Sequence, residues 1–292
     1  MLILELACTA LILMYLVACL RRVDDRARLL RRLGLLVVAA WLTEDTVIHA
    51  YGFYAYSPRW SVFVDRVPLM VILIWPMVIH SSWRLARCLL TPAGERAESP
   101  SVIARAPLVG AAMVFADAWL IEPVSVEAGL WWWTHPGLFA VPPIGVLGWA
   151  LFAGLAMAVL GRARSAWQEL LVLVIAPIGT HLLLLATWWG LFRWVEGTIP
   201  PAPAIGLVWL FSLALFVTAL RRRVMHKMPL GELMLRIPAA MFFFVLLGIH
   251  GRDVPTLVAW VIAFAPPYCA ITPWPQIRRL WASHPTRTTD DG

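Results

Sequence analysis

The chain is 292 residues long, 61% hydrophobic and only 14% charged, with a mean hydropathy of +0.77 and a net charge of +7. Soluble domains carry about 25% charged residues, so the composition excludes an ordinary soluble domain. The basic balance, with a pI near 9.8, does not point to nucleic acid, because the arginines lie beside apolar runs, where anionic lipid balances them.

In chain order, the apolar runs predict membrane spans at roughly 2–20, 33–50, 67–84, 106–122, 143–161, 167–189, 203–220, 232–249 and 254–272. The expected fold is therefore all-α: an integral membrane bundle of about nine transmembrane helices over residues 1–282, followed by a polar cytoplasmic tail at 283–292. No positive charge precedes the first run, and Arg21 and Arg22 follow it, which reads as an anchored helix with its N-terminus outside and the C-terminus cytoplasmic. That orientation puts all but four of the 24 basic residues (Arg59, Arg66, Arg193 and Arg252) on the cytoplasmic side, including Arg96, Lys227, Arg236, Arg278, Arg279 and Arg287. The positive-inside rule favours this arrangement, in a prokaryotic cytoplasmic membrane. Cys8, Cys19, Cys88 and Cys269 form no CxxC pair and read as small packing residues.

The outer loops are aromatic and proline-rich, with YGFYAYSPRW at 51–60 and GLWWWTHPGLFAVPP at 129–143. Part of this is interfacial anchoring. Three consecutive tryptophans, Trp131 to Trp133, cannot all face lipid, so some are expected to line a pocket. The two hairpins also repeat each other. An acid, then Gly52, Tyr54, Tyr56, Val67, Pro68 and Trp75 in the first is echoed by Asp117, then Gly129, Trp131, Trp133, Val141, Pro142 and Trp149 in the second. Related halves of membrane proteins often build a site between them.

Acids inside hydrocarbon are functional candidates. Glu5, Glu169 and Glu232 lie near helix ends, and Glu95, Glu98, Asp290 and Asp291 in loops or the tail. Glu44 and Asp45 in the second span and Asp117 in the fourth are the exceptions, with Glu122 above Asp117. Glu44 and Asp117 each lie about 11 residues along their spans, roughly 16 Å, so acids from two helices are expected to meet at one level. His49 shares a face with Asp45, and His181 reaches a similar height. No basic partner is expected at that depth. Carboxyls desolvated without a cation stay protonated and serve as general acids, and nearby aromatic faces stabilise a cation. This combination suits protonation of a carbon–carbon double bond. The sequence has no DDxxD motif within a span, no HxxxH or HxxHH cluster, and no P-loop or GxGxxG. Asp45 and His49 alone are too few ligands for a metal site, and neither metal nor cofactor is expected.

The string Asp117, Trp119, Glu122, Pro123, Gly129, Leu130, Trp131, Trp133, Gly137, Phe139, Val141, Pro142, Gly148 and Trp149 resembles the core motif of membrane carotenoid biosynthesis proteins of the carotenoid 1,2-hydratase type, related to membrane carotenoid cyclases. Glu44 with Gly52, Tyr54 and Tyr56 is similar to that family's earlier acid-plus-aromatic segment. The resemblance covers roughly residues 40–155. It implies a cofactor-independent enzyme that adds water to the terminal double bond of an acyclic carotenoid. On this mapping Asp117 or Glu44 protonates the alkene, and Glu122 or Asp45 positions water. Trp131, Trp133, Trp119, Tyr54, Tyr56, His49 and His181 then line the substrate site. The implied partners are the lipophilic isoprenoid, membrane lipid and other carotenoid biosynthesis enzymes. A carotenoid or terpene cyclase using the same protonation is the alternative. A non-catalytic transporter or assembly partner is the third.

Overall fold

The computed structural model describes residues 1–91, 99–194, 199–224, 231, 233, 236–272 and 274. Arg96, Lys227, Glu95, Glu98, Glu232, Arg278, Arg279, Arg287, Asp290, Asp291 and the tail 283–292 lie outside the described residues.

Among the described residues, seven helical spans are long and apolar enough to cross a membrane. They are α1 (Leu2–Leu20), α2 (Arg26–Tyr51), α3 (Leu69–Leu90), α4 (Pro100–Glu127), α5 (Pro143–Arg162), the joined pair α6 (Ala166–Leu170) and α7 (Val172–Gly190), and α8 (Pro201–Arg221). The chain is a multi-pass membrane protein. The expected eighth and ninth spans are shorter elements: α9 (Arg236–His250), α10 (Pro255–Ile262) and α11 (Ala265–Ile271). At about 1.5 Å per residue, α9 falls short of the roughly 30 Å hydrocarbon thickness. The last apolar run breaks in two where Pro266 and Pro267 open a new helix.

Helix ends follow local chemistry. The Asp25 side chain accepts from the Arg28 N–H to cap α2, and Ser99 and Ser165 cap α4 and α6 in the same way. Gly52 closes α2 in the left-handed region at φ +60°, where a Cβ would be strained. Inside α4, Pro123 leaves the Trp119 carbonyl without its helical N–H donor. The Trp260 indole of α10 supplies one at 2.8 Å, fastening α10 across α4.

At the arginine-rich end, Glu169 is buried and not snorkelled. It accepts from Arg28 (3.1 Å), Arg31 (2.7 Å) and Arg32 (2.6 Å), pinning α2 to α6. Arg28 and Arg32 also reach the carbonyls of Ala163 and Leu160.

At the opposite end, two short strands from the aromatic loops join the hairpins. β1 (Tyr54–Tyr56) pairs antiparallel with β4 (Trp131–Trp133), in register Tyr54↔Trp133, Ala55↔Trp132 and Tyr56↔Trp131. Between them in sequence, β2 (Phe63–Val64) and β3 (Val67–Pro68) form a second small ladder. Strand alternation turns Trp131 inward and leaves Trp132 48% exposed. The pocket-lining expectation for the triple tryptophan therefore meets a two-in, one-out pattern.

Candidate functional site

The two hairpins form a pseudo-two-fold unit. Helix α2, Gly52, β1, Val67-Pro68 and α3 correspond to α4, Gly129, β4, Val141-Pro142 and α5. Gly52 and Gly129 share φ values of +60° and +66°. Pro68 and Pro142 begin the returning helices with φ/ψ of −61/135° and −73/137°. In the strand ladder, Tyr54 faces the counterpart of Tyr56, and Tyr56 faces the counterpart of Tyr54, as a local two-fold axis through Ala55 and Trp132 requires. Nearly two turns into the returning helices, Trp75 and Trp149 meet with ring centroids 4.6 Å apart.

Together with α1, α7 and α9, this unit lines a chamber whose space, open mouth included, is about 1400 Å³, walled almost entirely by apolar and aromatic groups. Two carboxyls border it, Glu44 from α2 and Glu122 from α4. Glu44 Oε2 accepts from the Tyr54 and Tyr56 hydroxyls, the latter at 3.0 Å, and its Oε1 accepts from Trp75 Nε1 at 2.8 Å. Glu122, 2% exposed, accepts at Oε2 from Trp131 Nε1 (2.7 Å) and Trp133 Nε1 (2.9 Å), with Trp149 as a further donor. Each hairpin thus cages its own acid with two strand aromatics and one helix tryptophan. All six donors are neutral, and Glu44 and Glu122 act on each other electrostatically. Burial first, and then the neighbouring Glu44, push the Tyr54 and Tyr56 phenols well above the usual tyrosine range, so both stay O–H donors.

The other expected acids do not join this pair. Asp117 lies in a smaller pocket with Arg236, Ser81 and Tyr268. The expectation that no basic group reaches its depth is overturned. Arg236 Nη1 binds both Asp117 oxygens at 3.0 and 2.8 Å, and Tyr268 donates at 2.9 Å. The other Arg236 amino group donates to Ser82. Arg236, expected in a cytoplasmic segment, is 7% exposed inside the bundle. Five residues at about 100° each rotate Asp117 some 140° from Glu122 around α4, so one helix points its two acids into different pockets. The second hairpin's counterpart of Glu44 is accordingly Glu122 and not Asp117. The signal was present in the spacing: Glu44 precedes Gly52 by eight residues and Glu122 precedes Gly129 by seven, but Asp117 precedes it by twelve.

Asp45, one residue on from Glu44, also turns away. His49 Nε2 lies 2.7 Å from Asp65 and 3.7 Å from Asp45. The ligand atoms of these three residues come within 4.8 Å of one another, a mixed nitrogen and oxygen set of the kind divalent cations accept. His181 bridges α2 and α7 through Thr46 (2.8 Å) and Tyr51 (2.9 Å). Trp119 packs on Trp260 at 5.6 Å between centroids. None of Asp45, His49, His181 and Trp119 borders the chamber, whereas Tyr54, Tyr56, Trp131 and Trp133 do. The expectations missed Trp75 and Trp149 as carboxyl donors, although the repeated Val-Pro-x6-Trp spacing had already singled them out.

A family model described as carotenoid biosynthesis protein matches residues 1–213. The chain belongs to that family. The match runs well beyond residues 40–155 and takes in both carboxyl-bearing hairpins of this carotenoid biosynthesis protein. No curated protein and no solved structure shows significant similarity to the chain.

Proposed function

We propose that this carotenoid biosynthesis protein hydrates the terminal double bond of an acyclic carotenoid, with Glu44 and Glu122 exchanging protons with the reacting end. The observation that carries the reading is the pairing of two intramembrane carboxyls, caged among the described residues by neutral donors, on one aromatic chamber. A carboxyl with a cation beside it is held ionised. One with neutral donors alone in a desolvated site can hold or give up a proton near neutral pH. An alkene is a poor base, and the tertiary cation made by protonating it needs shelter from bulk water and π-faces to lie against. Tyr54, Tyr56, Trp131 and Trp133 supply both. A substrate dissolved in the bilayer needs a chamber at membrane depth, as this one is. No residue pattern here demands a cofactor for that step. Of the expected acids, Asp117 is assigned to holding helices, through Arg236. The arginine-rich end is placed in the cytoplasm and the N-terminus outside, following the charge asymmetry.

The test is to express the protein in membranes, supply acyclic carotenoids and weigh the products. Hydration raises the mass by one water. Products of unchanged mass but altered retention would instead identify a cyclase, and unchanged substrate across the acyclic series would remove the enzymatic reading.

A further inference from the structure

The two half-sites are alike in plan but not in chemistry. Among the described residues, every hydrogen-bond partner of Glu44 except Trp75 is a phenol, and every one of Glu122 is an indole. A phenol oxygen both donates and accepts, whereas an indole N–H only donates. Protonated Glu44 can therefore give its O–H to a tyrosine oxygen and remain satisfied away from water. Among its indoles, protonated Glu122 finds no acceptor, while its carboxylate form satisfies all of them. Buried polar groups are stable in the state whose hydrogen bonds are made.

A second asymmetry lies one turn along each helix. Three residues past Glu44 stands Val47, and three past Glu122 stands Ser125; both border the chamber. The other aliphatic hydroxyls on the chamber wall, Thr43 and Thr180, are spent on the carbonyls of Ala39 (2.8 Å) and Ala176 (2.6 Å) in their own helices. Ser125 is fully buried, and its Oγ makes no hydrogen bond among the described residues. A buried hydroxyl left in this condition costs about 1–3 kcal/mol, which a bound oxygen would recover. A buried water needs about 2–4 polar partners. Ser125 and Glu122, on one face of α4 at i and i+3, supply the first two.

We infer that the half-sites have divided the reaction, Ser125 and Glu122 holding and activating the water and Glu44 delivering the proton. This rests on the hydration reading above. The Glu44 O–H bond breaks as the alkene π-pair takes the proton to form a C–H bond, leaving a tertiary cation and a Glu44 carboxylate. A lone pair of the water on Ser125 closes on the cation, and the proton shed by that oxygen goes to Glu122. Alkene plus water gives tertiary alcohol, and the proton now on Glu122 returns to Glu44 by way of solvent to complete the cycle. Glu44 and Glu122 are catalytic residues in this scheme; Ser125 positions the water.

The experiment runs the reaction in D2O, reading alcohol formed and deuterium washed into recovered alkene. Exchange reports protonation alone, because a cation that fails to capture water returns a proton to Glu44. In Ser125→Ala, alcohol formation should fall on the order of tenfold, one lost hydrogen bond's worth, while exchange continues at or above the wild-type rate. Glu122→Gln should show the same split, and Glu44→Gln should lose exchange and alcohol together. If Ser125→Ala leaves the ratio of alcohol to exchange unchanged, whether both hold or both fall, the division of labour is wrong although the wild type hydrates. If the wild type itself makes no alcohol, the failure belongs to the hydration reading. Ser125→Thr, which keeps the hydroxyl, should restore the ratio.

Discussion

Glu44 and Asp117 are both carboxylates set in apolar helices, yet their surroundings are opposites. Glu44 meets two phenols and an indole. Asp117 meets a guanidinium in two-point contact, with one phenol beside it. A buried ion pair is costly to break, because either partner left alone is an uncompensated buried charge. A carboxyl among neutral donors carries no such tie. Position inside a membrane helix therefore marks an acid as interesting, but the charge of its partner separates the two.

The comparison can be pressed hardest at Glu44. Glu44→Gln keeps the shape and removes the proton, so product formation should fall by roughly 10²–10⁴-fold, the usual worth of a general acid, with thermal stability in detergent little changed. A variant that kept its activity would strip the neutral cage of its meaning. Asp117→Asn should do the reverse. Leaving Arg236 unpaired should cost about 3–5 kcal/mol of stability, seen as a lowered unfolding midpoint, while the protein that remains folded stays active per molecule. Asp117→Asn combined with Arg236→Met should regain much of that loss, because the stranded charge is gone; a double variant no better than the single would deny that the pair is a fastener. A subtler probe is Gly145. A Cβ built there would lie 2.3 Å from the Trp133 ring, so Gly145→Ala must push that indole off the Glu122 cage. The expected result is a few-fold loss of product, on the order of 1 kcal/mol for one disturbed hydrogen bond, with folding retained. Unaltered turnover would mean that the placement of Trp133 is not needed.

Much of this was legible before any coordinates. The apolar runs overlap all seven long helices, with ends that differ by up to seven residues, because hydrocarbon requires every backbone group to be satisfied within its own helix. The doubled Gly–aromatic–Val-Pro-x6-Trp pattern already contained both cages, and the structure turns it into a strand pair and a tryptophan pair. Height along a helix can be counted in the sequence, but direction around it cannot. Counting residues placed Asp117 level with Glu44, and neither that count nor hydropathy carries the rotation of α4 about its axis. Arg236 is expected on the cytoplasmic side because an arginine near the end of an apolar run usually reaches the interface there. Its partner stands 119 residues earlier in the chain.

What the sequence by itself determined is the membrane class, the hairpin repeat and the residue types of both cages, since hydropathy and spacing are local and add along the chain. Only the tertiary structure decided which carboxyls share a chamber, which one is tied to an arginine, and that the Ser125 hydroxyl makes no hydrogen bond among the described residues. Those outcomes depend on how helices far apart in sequence turn toward one another, and a side chain's partners are set by that packing and not by its neighbours along the chain.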